Sequence, residues 1–317
     1  MRGWKKWILL ILGFTAFVWV FLWGIFNIAA TPLANFLLKK FVSTPAHVEK
    51  VKTDWLLTRL YIEGLEVENP KYFGGGKMLS VKEIYFYASP KILWTFKQYW
   101  DVKLTDMYLH YIRNSKNISN IAVAFGLPFE QKKVEPVDFE LLHTNATIKA
   151  NTLKDIKIHA VGYFKEYGTK GRFTVNATAD VSDMKNPKMV MNFKVDQIKL
   201  SLPGGELGNP ALLALMGSKQ NMLITKIVGS LNMTQTRIDV NYVKFYNQMG
   251  LMGEILKGSW YDKATHELYI KGKLYKPVYL EFLITGTDEN PKFKILNLPQ
   301  GNMLETLLNQ LNTLQKK

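Results

Sequence analysis

Beyond residue 45, apolar and polar residues alternate with a period of two, in run after run separated by Gly, Asn, Asp and Pro. This is the pattern of strands that keep one face apolar and the other wet. The clearest run is Phe173, Val175, Ala177, Ala179 and Val181, with Thr174, Asn176, Thr178 and Asp180 between them. The alternation recurs at Met189, Met191, Phe193 and Val195, at Ile227, Leu231 and Met233, and at Ile238, Val240 and Tyr242. It returns at Leu268, Ile270 and Leu274, and closes at Val278, Leu280, Phe282 and Ile284. About 13 strands are predicted, against short helices at 90–96, 120–125, 210–216 and 303–314. No βαβ rhythm interrupts the series, so antiparallel connections are expected. Two strands change phase part-way: Leu60 and Ile62 give way to Leu65 and Val67 across Gly64, and Val102 and Leu104 give way to Met107, Leu109 and Tyr111. A bulge or bend at each would return the apolar side chains to one face.

The N-terminus follows a different pattern. Residues 7–28 contain no charged side chain, and these 22 residues at about 1.5 Å each would cross a hydrocarbon layer of roughly 30 Å. Trp4 and Trp7 suit an interfacial belt, and Arg2, Lys5 and Lys6 orient the N-terminus to the cytoplasm. A cleaved signal peptide ending near Ala29-Ala30 is the competing reading, but its apolar stretch is usually only 7–15 residues. Residues 31–45 follow, with Leu33, Phe36, Leu37 and Phe41 on one stripe beside Lys39 and Lys40, which reads as a short interfacial helix begun by Pro32.

Composition narrows the chemistry. With no cysteine, disulfides, thiolate metal sites and cysteine nucleophiles are excluded. A net charge of +15 favours anionic partners, which beside a bilayer are lipid headgroups and not nucleic acid; the plainer reading is a solvated, Lys-rich outer face. His47, His110, His143, His159 and His266 have no neighbour at metal-ligand spacing in the sequence, so no metal site is predicted. Gly74-Gly75-Gly76 and Pro203-Gly204-Gly205 lack the Lys-Ser or Lys-Thr of a phosphate loop. Asp54, Asp101, Asp106 and Asp262 fall where strands turn, without a paired carboxylate. No catalytic residue, cofactor or enzymatic activity is predicted. The Asn-X-Ser/Thr tripeptides at Asn117, Asn145, Asn176 and Asn232 could be glycosylated only in a secretory lumen.

Alternation alone leaves two destinations for the apolar face: the filled interior of a sandwich or barrel, or an open groove. A resemblance adds weight to the second. After the anchor, the stretch from Thr58 through Gly64-Leu65-Glu66-Val67-Glu68-Asn69-Pro70 to Tyr72-Phe73 is followed by a Gly-rich turn, the strand around Val81, Leu93-Trp94, the strand from Val102 to Ile112, and an Asn before a short helix. Thr285-Gly286-Thr287 and Asn290-Pro291 stand near the C-terminus. In this order the features resemble the AsmA family, relatives of the chorein-type bridge-like lipid transfer proteins, although this chain is shorter than typical members.

The resemblance implies a mainly β fold: an N-terminal transmembrane helix plus an elongated, curled antiparallel β-sheet, or β-groove, with a few short helices. The expected organisation is a cytoplasmic tip and membrane helix at 1–30, an interfacial helix at 31–45, a periplasmic β-groove at 46–300 and an amphipathic C-terminal helix at 301–317. The implied function is transfer of phospholipid from an inner membrane through the periplasm, its acyl chains sheltered in the groove. Groove-lining residues are expected at Phe173, Val175, Met191, Phe193, Ile238, Val240, Leu280 and Phe282. The partners are membrane phospholipids. Under the alternative, a closed β-sandwich acting as a structural or outer-membrane assembly factor, they are other envelope proteins.

Overall fold

A computed structural model describes residues 3–90, 99–131, 133–134, 136–166, 169–201, 223–275, 279–288 and 290–297. The helices expected at 90–96, 210–216 and 303–314, and the C-terminal segment 301–317 as a whole, lie outside the described residues, except for Pro90. The chain divides into two compact units, residues 1–152 and 153–317, so the stretch 46–300 is shared between them.

The first unit opens with helix α1, Gly3–Phe41. It is a single helix of 39 residues, about 58 Å long, and the expected break between a membrane helix and a separate interfacial helix at Pro32 is absent. Proline removes one helical N–H and crowds the preceding turn, but the side chains on both sides of it are tied to a strand. That strand is β1, Ala46–Thr53, at the outer edge of a meander continued by β2, Arg59–Glu68, β3, Lys77–Ala88, β4, Trp100–Arg113, and β5, Val137–Thr152. A single 3₁₀ turn, Lys71–Phe73, links β2 to β3, and helix α2, Asn120–Phe125, links β4 to β5.

An edge strand exposes a row of unpaired N–H and C=O groups, and here α1 satisfies them with side chains four residues apart. The Asn35 amide donates to the Val48 carbonyl at 2.9 Å and accepts from Val48 N–H at 2.7 Å. The Thr31 hydroxyl accepts from Val51 N–H at 2.9 Å, and Asn27 Oδ1 accepts from Thr53 N–H at 2.8 Å. The Trp23 indole donates to the Thr53 carbonyl at 3.1 Å and the Trp19 indole to the Trp55 carbonyl at 2.6 Å. Helix residues at i and i+4 stack along one row, so this row takes the place of a missing neighbouring strand. Ala30, Ala34 and Leu38 pack beneath it on Val48, Val51, Leu60, Ile62 and Leu65. Replacing Asn27 and Asn35 together by Ala should speed amide exchange of the 46–53 segment about 10- to 100-fold, the value of one or two lost hydrogen bonds. Hydrogen-exchange mass spectrometry that left this segment unchanged would show that the row does not hold the edge.

The phase changes are real, and they line up. Val48 pairs with Leu65 and Lys50 with Glu63; Glu63 pairs with Glu83 and Leu65 with Val81; Val81 pairs with Met107 and Glu83 with Thr105. Between these pairs lie Glu49, Gly64, Lys82 and Asp106, one per strand. Gly64 and Asp106 have φ of 67° and 51°, and the line reaches β5 as a register shift near Thr144, next to His143 with φ 47°. Apolar residues three apart, such as Ile62 and Leu65, therefore face the same core. At the other end of this unit, Val42, Ala46, Val67, Met78 and Ala124 form a second core cluster between α1, the strands and α2.

The second unit contains β6, Asp155–Glu166, β7, Thr169–Asp180, β8, Lys188–Ser201, β9, Leu223–Met233, and β10, Arg237–Asn247. It continues with β11, Gly250–Ile255, β12, Trp260–Asp262, β13, Glu267–Leu274, β14, Leu280–Thr287, and β15, Pro291–Ile295. Each strand pairs antiparallel with the next along the chain, except that β12 bridges β10 and β13 beside β11. The fold is mainly β, with 15 strands among the described residues where about 13 were expected; β12, three residues long, is too short to show alternation.

Candidate functional site

In an antiparallel sheet, paired residues lie on the same face, so register can be followed from strand to strand in the second unit. Phe173 pairs with Val195, Val195 with Ile227, Ile227 with Phe245, Phe245 with Gly253, Gly253 with Leu274 and Leu274 with Leu280. The adjacent row runs Ala160, Val175, Phe193, Gly229, Val243, Ile255, Gly272, Phe282 and Ile295. A third runs Ile158, Ala177, Met191, Leu231 and Val240, and a fourth Ile156, Ala179, Met189, Met233 and Ile238. Every position in these four rows is apolar or Gly. All eight residues expected to line a groove, Phe173, Val175, Met191, Phe193, Ile238, Val240, Leu280 and Phe282, fall on this one face. Leu280 is buried and the other seven are half-buried.

One member of the expected series departs. Tyr242, grouped with Ile238 and Val240 by alternation, pairs with Ser230 on the opposite face, because the register shifts between Val240 and Tyr242. Val243 takes its place. A bulge inserts one residue and so inverts everything after it, and nothing in Val240-Asn241-Tyr242-Val243 marks it, since both phases offer an apolar side chain.

The face has a relief of its own. The Phe193 ring lies over Gly229 and the Phe282 ring over Gly272; a β-carbon at Gly229 would come 2.5 Å from the Phe193 ring, and one at Gly272 would be closer still to Phe282. Each ring therefore covers the glycine of the neighbouring strand. At one end of the face Ile198, Ile224 and Met252 are fully packed, with Phe164, Val195, Ile227, Phe245 and Leu274 around them. Ile198 reaches this cluster through an irregular stretch between Asp196 and Leu200, where Gln197 has φ 57°. Among the described residues of this unit there is no helix to cover the face.

The opposite face is polar, and its cations rest on rings. Lys226 stands 5.1 Å over the Tyr246 ring, Lys170 5.8 Å over Tyr163, Lys244 6.0 Å over Tyr242, and the Arg237 guanidinium 4.6 Å over Trp260. Lys273 and Glu281 pair at 3.0 Å. A hydrogen bond with Glu281 raises the Lys273 pKa above its usual value, and hydrogen bonds from Tyr279 and then Lys273 lower that of Glu281. These are partly exposed pairs on a solvated surface, of the kind that contributes little to stability.

Three ligand-type side chains that sequence spacing did not connect meet across β4 and β5. His110, Asp138 and Glu140 bring their donor atoms within 4.8 Å of one another, with His110 Nε2 and Asp138 Oδ1 2.8 Å apart. Cross-strand pairing makes neighbours of residues some 30 positions apart, which linear spacing cannot show. His143 and His266 are held in the same way, by Asp106 at 2.8 Å and Asp288 at 3.1 Å. The residues that sequence reasoning overlooked altogether are Asn27, Thr31 and Asn35; their signal was a polar stripe with a period of four inside an apolar helix. Among the described residues one helix, over Gly13–Phe41, is long and apolar enough to cross a membrane.

No protein-family model, curated protein or solved structure matches the chain.

Proposed function

We propose that this chain is a membrane-anchored lipid transfer protein of the AsmA-like kind, tethered to the inner membrane by α1 with its β body in the periplasm, which shelters phospholipid acyl chains on the apolar face of its second unit. The observation that carries this reading is the convergence of four cross-strand apolar rows on one half-buried face. Nine strands in sequence, β6 to β11 and β13 to β15, measure about 38 Å along the pairing direction at about 4.8 Å per interval. That exceeds the roughly 15 Å depth of one leaflet's hydrocarbon, so an extended acyl chain fits lengthwise along a row. Each methylene kept out of water on that face is worth about 0.8 kcal/mol. The rings of Phe193 and Phe282 occupy the space over Gly229 and Gly272, adding apolar surface on which a chain can rest. Headgroups would remain at the wet edge, where a net charge of +15 favours anionic lipids.

A second reading, an assembly factor that pairs with envelope proteins through an exposed edge, has one candidate surface. Strand β15 is exposed along most of its length and among the described residues pairs only with β14. It begins with Pro291 and carries Lys292 and Lys294, devices that disfavour edge pairing, and this weighs toward the lipid reading.

The test is direct. The full chain, extracted in mild detergent, is expected to carry phospholipid detectable by mass spectrometry. Reconstituted into donor vesicles, it is expected to accelerate movement of a labelled phospholipid to acceptor vesicles. A chain free of lipid that leaves transfer at the protein-free rate would defeat the proposal.

A further inference from the structure

The turn between β1 and β2 does not look like a turn made for water. Trp55, Leu56 and Leu57 follow one another at its tip and are 60%, 48% and 48% exposed. Leu57 has φ 56°, a left-handed conformation that ordinarily selects Gly or Asn and is strained for a bulky apolar residue. Turns in contact with water are generally polar, so three exposed apolar side chains, one held in strain, call for an apolar surrounding.

The backbone of this turn is unusually well satisfied. Asp54 N–H donates to the Arg59 carbonyl, and Leu57 N–H to the Asp54 carbonyl. The Asp54 carboxylate accepts from Thr58 N–H at 2.7 Å, from the Thr58 hydroxyl at 2.8 Å and from Arg59 N–H at 3.0 Å. The Trp55 carbonyl is taken by the Trp19 indole at 2.6 Å. A polypeptide segment can enter hydrocarbon only when such groups are bonded internally. The charges that flank the tip are the Asp54 carboxylate, held by these three hydrogen bonds, and the Arg59 guanidinium, 5.9 Å from the Tyr87 ring on a stem long enough to reach an interface.

The position of the turn follows from the same bond to Trp19. Trp19 lies nine residues before Ile28, where the 22-residue span read as crossing the membrane ends, and therefore about 13 Å along the helix from that end. The surface of α1 at this level is apolar: Phe17, Phe21 and Leu22 are 67%, 58% and 54% exposed. The tip and the helix thus make one apolar surface at one height.

We propose that the Trp55-Leu56-Leu57 tip is inserted in the non-cytoplasmic leaflet beside α1, as a wedge in contact with lipid acyl chains. This rests on the reading of α1 as a membrane-spanning helix, and α1 and the wedge can be tested separately. Because the chain has no cysteine, single-cysteine variants of the full protein can carry an environment-sensitive fluorophore. Leu56→Cys reports the tip, Ile25→Cys the helix, and Met184→Cys, at a site 78% exposed in the second unit, an aqueous position. The labelled proteins are placed in vesicles of phosphatidylethanolamine and phosphatidylglycerol containing lipids with a nitroxide on the acyl chain. The probes at 56 and 25 should both be blue-shifted and quenched several-fold more strongly than the probe at 184. If the probe at 25 is quenched and the probe at 56 behaves like that at 184, the wedge is refuted while the anchor stands. If neither is quenched, the membrane reading of α1 fails and the wedge fails with it.

Discussion

Met191→Glu combined with Val240→Glu is expected to reduce the phospholipid recovered with the purified chain at least tenfold, while moving the melting temperature by only a few degrees. The two positions stand on β8 and β10 in one row, joined through Leu231. Both are half-buried, so in the lipid-free protein a carboxylate at either can keep much of its hydration. A hydrocarbon chain lying along the row would have to strip that hydration away, at a cost of several kcal/mol, and each 1.4 kcal/mol is a factor of ten in occupancy. The matched control puts the same charges on the other face: Thr178→Glu with Asn192→Glu, both exposed, should leave lipid recovery unchanged. Equal recovery from the two double variants would mean that lipid, if bound at all, lies elsewhere.

The second large effect concerns stability. Asn120→Ala should lower the stability of the first unit by about 3 kcal/mol or more. In a unit of about 150 residues this corresponds to roughly 6–12 °C in melting temperature. Asn120 is fully buried. Its Oδ1 accepts from Ile112 N–H at 3.0 Å, and its Nδ2 donates to the His110 carbonyl at 2.6 Å and to Asn69 Oδ1 at 2.7 Å. Strand β3 pairs with β4 only as far as Leu109, so Asn120 completes the edge of β4 beyond that point, as Asn35 does for β1. Alanine orphans three partners, the buried Asn69 amide and two half-buried backbone groups, at about 1–3 kcal/mol for each buried group left unpaired. Asn232→Ala, whose amide exchanges hydrogen bonds with Asn241 on the exposed face, should cost less than about 1 kcal/mol. A loss of only a degree or two for Asn120→Ala would indicate that water fills the site.

Sequence revealed the strands because side chains alternate with period two wherever one face is apolar. It revealed the kinks at Gly64 and Asp106 because the apolar phase visibly changes across them. It also placed all eight expected lining residues on the same face, although only register, a non-local property, shows that their rows join. The shift near His143 left no such trace, since Leu141-Leu142-His143-Thr144 offers apolar side chains in either phase. The bulge after Val240 was hidden for the same reason, which is why Tyr242 was assigned to the wrong face. Pro32 suggested the start of a new helix, but the bonds from Thr31 and Asn35 to β1 connect segments 13 to 20 residues apart. Local propensity carries no record of them. The His110, Asp138 and Glu140 grouping was likewise invisible before the strands were paired.

The line of irregular residues through Glu49, Gly64, Lys82 and Asp106 makes the length of each strand everyone's business. Deleting Gly64 would not merely shorten β2. It would turn half of that strand inside out, sending Arg59 and Tyr61 toward the core where Leu60 and Ile62 now sit, while β1 and β3 kept their own reversal at the old latitude. A single-residue gain or loss in any one of these strands is therefore uncompensated unless its neighbours change at the same height. Length variation among functional descendants of this chain should accumulate in the hairpin connections and spare the mid-strand line.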